Sequence, residues 1–572
     1  MKKTFKIIIA IAVFLLHSTT IYSQNQLIIP TTITGGTYNI TLAEDSVQFL
    51  SGKRTHTNGY NGNYLGPTLI FEKGEIVKLK VTNKLEDSTT THWHGLHIAP
   101  ENDGGPHSII APNSSWSPTF TVMDKASTYW YHPHLHTKTG EQVMKGAAGL
   151  IIVRDNEESA LALPRKYGVD DFPIVVQTQQ FDIQNQVVVD GMRDSITMVN
   201  GVIDPFVDMP AQVVRMRILN ADQERNYNFG FTGSKTFSII GSDGGLLSAP
   251  VNATRVRLAP GERAEILLNL DGMNGQTIDL MSYASELKMG IQGGPTMKMP
   301  NGMPMMLMNS PLNGMNYNIL KINIKPPTTN PVTSVPSSLV TVVKLKLTNV
   351  NTTRRIEFTP KANPTPMEAM DGPFFFNGES FKMNRVDQKI RLGNTEVWKL
   401  VNKTMVAHPF HIHDVQFFIL DINGVPPTID KQGRKDVVSV GPKDSIRFIT
   451  KFDDFYGTTP FMYHCHNLMH EDGGMMGQFI VDNSASLRGD ILGSEFNIYP
   501  NPALDQITIG NTKNIEINKI RLFSAVGEEV ISEDINNSSS SIKLNLGKNK
   551  SGIYILHIIT PNTSITKNII IE

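Results

Sequence analysis

Short apolar runs recur along almost the whole chain, among them Ile76–Thr82, Gly149–Val153, Val213–Leu219, Arg263–Leu270 and Ser445–Lys451. Most are rich in β-branched residues, and they are bounded by Gly, Pro, Asn or Asp, the punctuation of strands and turns. Stretches with a 3.6-residue apolar period are scarce. The pattern therefore predicts an all-β chain of Greek-key sandwiches or barrels rather than an alternation of strands and helices.

At about 100–200 residues per domain, 572 residues predict three or four such units. A charged segment from Asp155 to Lys166 and the Pro/Ser/Thr-rich stretch KPPTTNPVTSVPSSL (Lys325–Leu339) supply the breaks. They set a first unit at 24–155, a second at 156–325, a linker at 326–339 and a third at 340–483. Beyond Asp482 the composition changes: all 25 methionines precede Gly477, and 493–572 is rich in Asn and Ser but keeps strand patterns at Lys543–Leu546 and Gly552–Ile559. That tail reads as a separate small β-domain.

The N-terminus, MKKTFKIIIAIAVFLLHSTTIYSQ, places Lys2, Lys3 and Lys6 ahead of an apolar run from Ile7 to Leu16. The run is too short to span a bilayer, so 1–23 reads as a secretory signal peptide cleaved near Ser23/Gln24. No later stretch approaches 18 consecutive apolar residues, and the mature chain is expected to be soluble. Lys and Arg number 52 against 53 Asp and Glu, which leaves no electrostatic footprint for nucleic acid. A single cysteine, Cys465, excludes an intrachain disulfide, a zinc ribbon and a thioredoxin-like CxxC site. In an exported protein a lone thiol needs a reason to exist.

Ten histidines form four short groups: His92 and His94 in THWHG; His132 and His134 in YWYHPHLH; His408, His411 and His413 in HPFHIH; His464, His466 and His470 in YHCHNLMHEDGGMM. Strand residues two apart share a face. Each HxH thus aims two imidazoles at one place, and Cys465 points away from His464 and His466. By the same parity His411 and His413 go together while His408 faces the side of the cysteine. One thiolate (Cys465), two imidazoles (His408 and His470) and the thioether of Met475, ten residues after the cysteine, form a set that selects copper for one-electron transfer. The other eight imidazoles exceed what one zinc can use and suit a cluster of several coppers that binds dioxygen.

In this order the four motifs resemble those of the multicopper oxidases. HWHGLH, DGGPHSII, WYHPHLHTKTGEQV, HPFHIH and HCHNLMHEDGGMM are especially similar to bacterial copper-efflux oxidases and spore-coat laccases, over about Gly66 to Val481. The resemblance implies three cupredoxin-like Greek-key sandwiches at 24–155, 156–325 and 340–483. It also implies four coppers: one type 1, one type 2 and two type 3. Carried over by motif, His92 and His411 would bind the type 2 copper, His94, His132 and His466 one type 3 copper, and His134, His413 and His464 the other. Donors would give up single electrons at the type 1 copper. Electrons would then pass through Cys465 and its neighbours to the cluster, where dioxygen is reduced to water. Asp103 in NDGG and Glu471 in HEDGG match acidic positions that supply protons in the resembling oxidases. His97 and His136 fall outside the pattern and read as supporting or surface residues. A monomer is expected.

From Met289 to Met315 the chain carries eight methionines, including Met297, Met299, Met303, Met305, Met306 and Met308, amid Gly, Pro and Asn that exclude a regular helix. Thioethers suit Cu(I), so this loop is a candidate cuprous-ion capture segment; the alternative is irregular packing. Copper-efflux oxidases carry their methionine-rich insert later, with acidic and methionine ligands just before HPFHIH. Here that stretch reads NKTMVA, with Thr404 and Val406 at those places and only Met405 nearby. The donor is thus Cu(I) or a phenolic or aromatic compound. A broad-specificity laccase without cuprous activity is one alternative and a non-catalytic copper-sequestering protein another, although all twelve ligand positions are filled.

FNIYPNP (Phe496–Pro502), LFSAVGEEV, KSGIYILHI and the terminal KNIIIE resemble the C-terminal sorting domain of the type IX secretion system of Bacteroidota. This implies that type IX machinery is a partner and that the protein is secreted or surface-bound, with a periplasmic location as the alternative.

Overall fold

The computed structural model describes residues 25–189, 194–296, 310–365, 367–483, 495–525, 527–547, 549–561 and 564–572. The signal peptide 1–23, the six methionines from Met297 to Met308 and the expected start of the tail at 493 lie outside them. Contacts divide the chain into two compact units. The larger is Met1–Gln388 with Thr395–Lys451 and Thr459–Phe479; the smaller is Lys389–Asn394 with Phe452–Thr458 and Ile480–Glu572.

The strands stand where the apolar runs predict them: Ile76–Asn83, Gly149–Arg154, Val213–Asn220, Arg263–Asn269 and Ser445–Lys451. Two patterns of burial separate them. Ile76–Asn83 alternates exposed and buried positions, as a strand with one face in water must. Gly149–Arg154 and Ser127–His132 are buried almost throughout. Their second face is covered by the next sandwich: Trp130, Ala148 and Leu150 pack against Val175, Leu219 and Ala221.

Three two-sheet sandwiches follow in chain order. In the first, a sheet ordered Thr55–Tyr60, Thr37–Val47, Ile76–Asn83, Ser115–Trp116 accompanies one ordered Thr32–Ile33, Thr68–Glu72, Gly149–Arg154, Ser127–His132, His92–His94. The second combines a seven-stranded sheet centred on Asp171–Gln179, Val213–Asn220 and Arg263–Asn269 with a six-stranded one. Its edge strand Asn25–Gln26 comes from the start of the described chain and pairs in parallel with Pro205 and Phe206. The third joins a sheet around Thr395–Asn402 and Ser445–Lys451 to one holding Phe461–Cys465, His408–Ile412 and Val437–Val440. The segment between the second and third sandwiches is strapped down: Val332, Val335, Leu339 and Val340 pack on Leu163, Val213, Ile240, Leu246 and Leu267. Val213 N–H donates to the Val332 carbonyl at 2.8 Å.

The tail is a further small sandwich of three and four strands, with its own core around Ile507, Ile509, Ile520, Leu522, Leu544, Leu556 and Ile558. The fold class is therefore all-β, as the pattern requires. Among the described residues no helix is long and apolar enough to cross a membrane.

Candidate metal centre

Strand pairing assembles the histidines. His92–His94 runs antiparallel to Ser127–His132 with His92 opposite His132 and His94 opposite Trp130. His408–Ile412 runs antiparallel to Phe461–Cys465 with His411 opposite His464 and Phe410 opposite Cys465. Alternation does the rest: Trp93 enters the first core while His92 and His94 face away from it. Imidazoles of the first and third sandwiches then stack, His92 on His413 and His94 on His411, each with ring centroids 3.8 Å apart.

Among the groups of potential ligand atoms that result, four built from histidine and cysteine are each gathered within 4.8 Å and buried: His92, His94 and His411; His94, His132 and His466; His134, His413 and His464; His408, Cys465 and His470. In the third group the three Nε2 atoms lie 3.2, 3.2 and 3.3 Å apart. Dividing such a side by √3 puts a point about 1.9 Å from all three, close to a metal–imidazole bond length.

The other ring nitrogens show that these lone pairs are bare. Nδ1 of His92 bonds the Asp103 carbonyl at 2.9 Å, Nδ1 of His411 the Asp436 carbonyl at 2.9 Å, and Nδ1 of His132 the Pro133 carbonyl at 2.8 Å. His464 Nδ1 bonds the Cys465 carbonyl at 3.1 Å and His413 Nδ1 the Asp103 carboxylate at 2.7 Å. A carbonyl or carboxylate accepts only, so each Nδ1 carries the proton and each Nε2 does not. His94 is reversed: its Nε2 donates to Asp436 Oδ1 at 3.2 Å, leaving Nδ1 bare and 3.4 Å from His132 Nε2. Nε2 of His92 and His411, and both ring nitrogens of His466, are buried without a partner. Protonation does not resolve the crowding. Burial, reinforced by neighbouring imidazoles, pushes His94, His132, His411 and His413 well below the usual histidine range and His466 down to about 3. A set of converging neutral lone pairs in a dry site fits bound cations.

Cys465 and its companions form a second, separate donor set. Its sulfur lies 3.6 Å from Nδ1 of both His408 and His470, and those nitrogens are 3.2 Å apart. Thr404 Oγ1 meets His408 Nε2 at 2.8 Å, which leaves Nδ1 of His408 free toward the sulfur. Burial pushes the Cys465 thiol up and His470 down to about 3, so a thiolate here requires a cation beside it. Met475 is fully buried, and its carbonyl accepts from Cys465 N–H at 3.0 Å. Phe374 packs edge-on against both His408 and His470, drying the site. Thiolate, two imidazoles and a thioether are donors that suit copper.

The predicted acids lie against the cluster. Asp103 reaches His413 and sits 3.3 Å from His92 Nδ1. Glu471 lies 3.1 Å from His134 Nδ1 and 3.0 Å from His464 Nδ1. Burial works to raise Glu471, but these imidazoles hold it well below the usual carboxylate range. His97 joins the sandwiches instead, its Nδ1 2.7 Å from Asp414, and His136 packs on Phe381. Asp436, Arg263 and Thr404 are absent from the sequence-based set of site residues. Asp436 and Arg263 stand in ordinary strand patterns far from any histidine motif, and only the fold brings them to the cluster.

Residues 41–158 and 344–485 match family profiles described as multicopper oxidase, and 497–572 matches a secretion system C-terminal sorting domain. The multicopper oxidase mco of Staphylococcus epidermidis is 32% identical over 455 residues, 78% of this chain and 88% of the relative. The cell division protein FtsP of Escherichia coli is 30% identical over 76% of this chain and 87% of its own length. Among solved structures, a bacterial laccase-like multi-copper oxidase CueO from Ochrobactrum sp. superposes with a TM-score of 0.70 and 31% identity, covering 80% of this chain and all of that one. A multicopper oxidase from Campylobacter jejuni, described as a metallo-oxidase, gives 0.66 and 25%, covering 80% of this chain and 95% of its own.

Proposed function

The chain belongs to the multicopper oxidases and is a copper-dependent oxidoreductase, and on that premise we propose that it couples one-electron oxidation of cuprous ion or of phenolic and aromatic donors to the reduction of dioxygen to water. His408, Cys465, His470 and Met475 would hold the type 1 copper, His92 and His411 the type 2, and the triads His94, His132, His466 and His134, His413, His464 the type 3 pair. Bound there, copper supplies single-electron acceptance at the first centre and four-electron reduction of dioxygen at the second.

The protein's own residues do the rest. Cys465 is bonded through the backbone to His464 and His466, so one tripeptide spans both donor sets. The carbonyls and carboxylates that bind the outer nitrogens hold the rings in the ligating tautomer. Asp103 and Glu471, buried in contact with the rings, would relay protons taken up from outside to the cluster, where reduction of one dioxygen to two waters consumes four. FtsP, a protein named for cell division, is similar over much of the same chain, so the donor set rather than the fold carries the assignment. The observation that carries it is the triangle of converging Nε2 atoms 3.2–3.3 Å apart. Copper content, blue absorption and oxygen uptake with a dimethoxyphenol test it; a blue protein that consumes no oxygen refutes it.

Cuprous activity is supported by the roots of the methionine-rich segment. Ala407, the residue before His408, donates its N–H to the Gly290 carbonyl at 2.8 Å and accepts from Gln292 Nε2 at 2.9 Å. Met289 and Met405 are exposed beside this anchor. Deleting 301–313 should lower Cu(I) turnover several-fold more than phenol turnover; equal loss on both sinks the cuprous reading. Thr404 favours the laccase reading, because a neutral hydroxyl rather than a carboxylate touches His408 and gives no charge to draw a cation. The leader at 1–23 and the sorting tail together support export to the surface or medium through type IX machinery.

A further inference from the structure

None of the twelve candidate ligands lies in the second sandwich, yet a side chain of that sandwich, Arg263, holds the residue that backs the cluster. Arg263, on the strand Arg263–Asn269, is buried, and all five of its N–H donors are engaged. Nε donates to the Thr128 carbonyl at 3.0 Å. Nη1 donates to the Gly261 carbonyl at 2.9 Å and to Asp436 Oδ1 at 2.6 Å. Nη2 donates to the Asp243 carbonyl at 3.0 Å and to Asp436 Oδ2 at 2.6 Å. The pair with Asp436 is bidentate and dry, the geometry in which guanidinium holds a carboxylate most rigidly.

Asp436 in turn touches two cluster histidines with different atoms. Its Oδ1 accepts from His94 Nε2 at 3.2 Å, and its carbonyl accepts from His411 Nδ1 at 2.9 Å. Those two rings are stacked. The same residue therefore decides that His94 presents Nδ1 and His411 presents Nε2. The chain is shaped around this contact: at Gly95, with φ +90°, a Cβ would lie 2.4 Å from Asp436 Oδ2 and 2.8 Å from Arg263 Nη2.

We propose that Asp436, clamped by Arg263, is a positioning residue for the histidine cluster, through which the second sandwich sets the ligating tautomer and aim of His94 and His411. This rests on the copper reading above. A pair that merely tied the sandwiches together would, when broken, weaken both centres alike. A positioning pair weakens the cluster and spares the Cys465 centre, whose donors it does not touch.

The test uses the full chain with Asp436→Ala, the nearly isosteric Asp436→Asn, which keeps an acceptor for His94, and Arg263→Lys, which keeps the charge but not the fork. Copper titration of metal-free protein reads the blue band and the cluster signals separately, and ¹⁵N shifts of the histidine rings before loading read the His94 tautomer. Asp436→Ala should weaken cluster copper about 10- to 100-fold and mix the His94 tautomers, with Asp436→Asn and Arg263→Lys less affected and the blue centre unchanged. Should Asp436→Ala fail to fold, Asp436→Asn and Arg263→Lys are judged by which centre they weaken: the cluster alone supports the proposal, and both centres alike or neither overturns it. Cluster affinity within about twofold of the parent, or equal weakening of both centres, overturns the proposal. A parent that takes up no copper in the cluster overturns the copper reading and this one with it, so the two failures are distinguishable.

Discussion

At the scale of single residues, burial sets the chemistry. Cys465 and its two imidazoles are inaccessible, and each group's ordinary charge is suppressed. Because no disulfide involves Cys465, Cys465→Ser should abolish the blue band and turnover while the melting temperature of metal-free protein stays within a few degrees of the parent by calorimetry. Asp124 gives a second expectation. Burial above all raises its carboxyl to about 6, and it accepts from His97 N–H. A carboxyl whose folded value lies above its unfolded value of about 4 stabilises the fold below that unfolded value. The contribution is lost as pH rises through about 6. Asp124→Asn, neutral throughout, should therefore show a flatter stability profile between about pH 4 and 7, measured by denaturant titration at each pH.

At the scale of elements, register is the controlling variable. A one-residue slip in His408–Ile412 would exchange the faces of His408 and His411 and dismantle both donor sets. That much follows from parity in HPFHIH and HCH. Parity does not reveal which carbonyls fix the rings, since the partners of His92, His411 and His132 are backbone atoms whose positions depend on turn geometry. The short helix Leu468–Asp472, which carries His470 and Glu471, docks on the helix Thr139–Met144. There Asp472 accepts from the N–H groups of Thr139 and Gly140 at 3.1 and 2.8 Å. Asp472→Ala leaves two helix N–H groups without that partner. It should cost about 1 kcal/mol and lower the melting temperature by about 2–4 °C; an unchanged melt would show the docking to be idle.

At the scale of the whole molecule, the tail stands on a core drawn from its own residues, Phe496 to Ile571, and holds none of the candidate ligands. A chain ending before Phe496 should bind copper and oxidise donors as the full chain does but fail to leave the cell, which fractionation by immunoblot would read. The all-β class, the tail and the grouping of the histidines around Cys465 were legible from the sequence alone. Strand alternation and donor chemistry are local properties, recorded in residues two, three or ten apart. The convergence of His94, Arg263 and Asp436 was not. No periodicity links residues on three sandwiches more than a hundred positions apart, and the buried Arg263 and Asp436 look in sequence like ordinary charges on half-exposed strands. The sequence by itself thus determined which residues offer donors to a metal. Only the tertiary structure decided which nitrogen of each ring faces inward, because that choice belongs to the acceptor packed behind it.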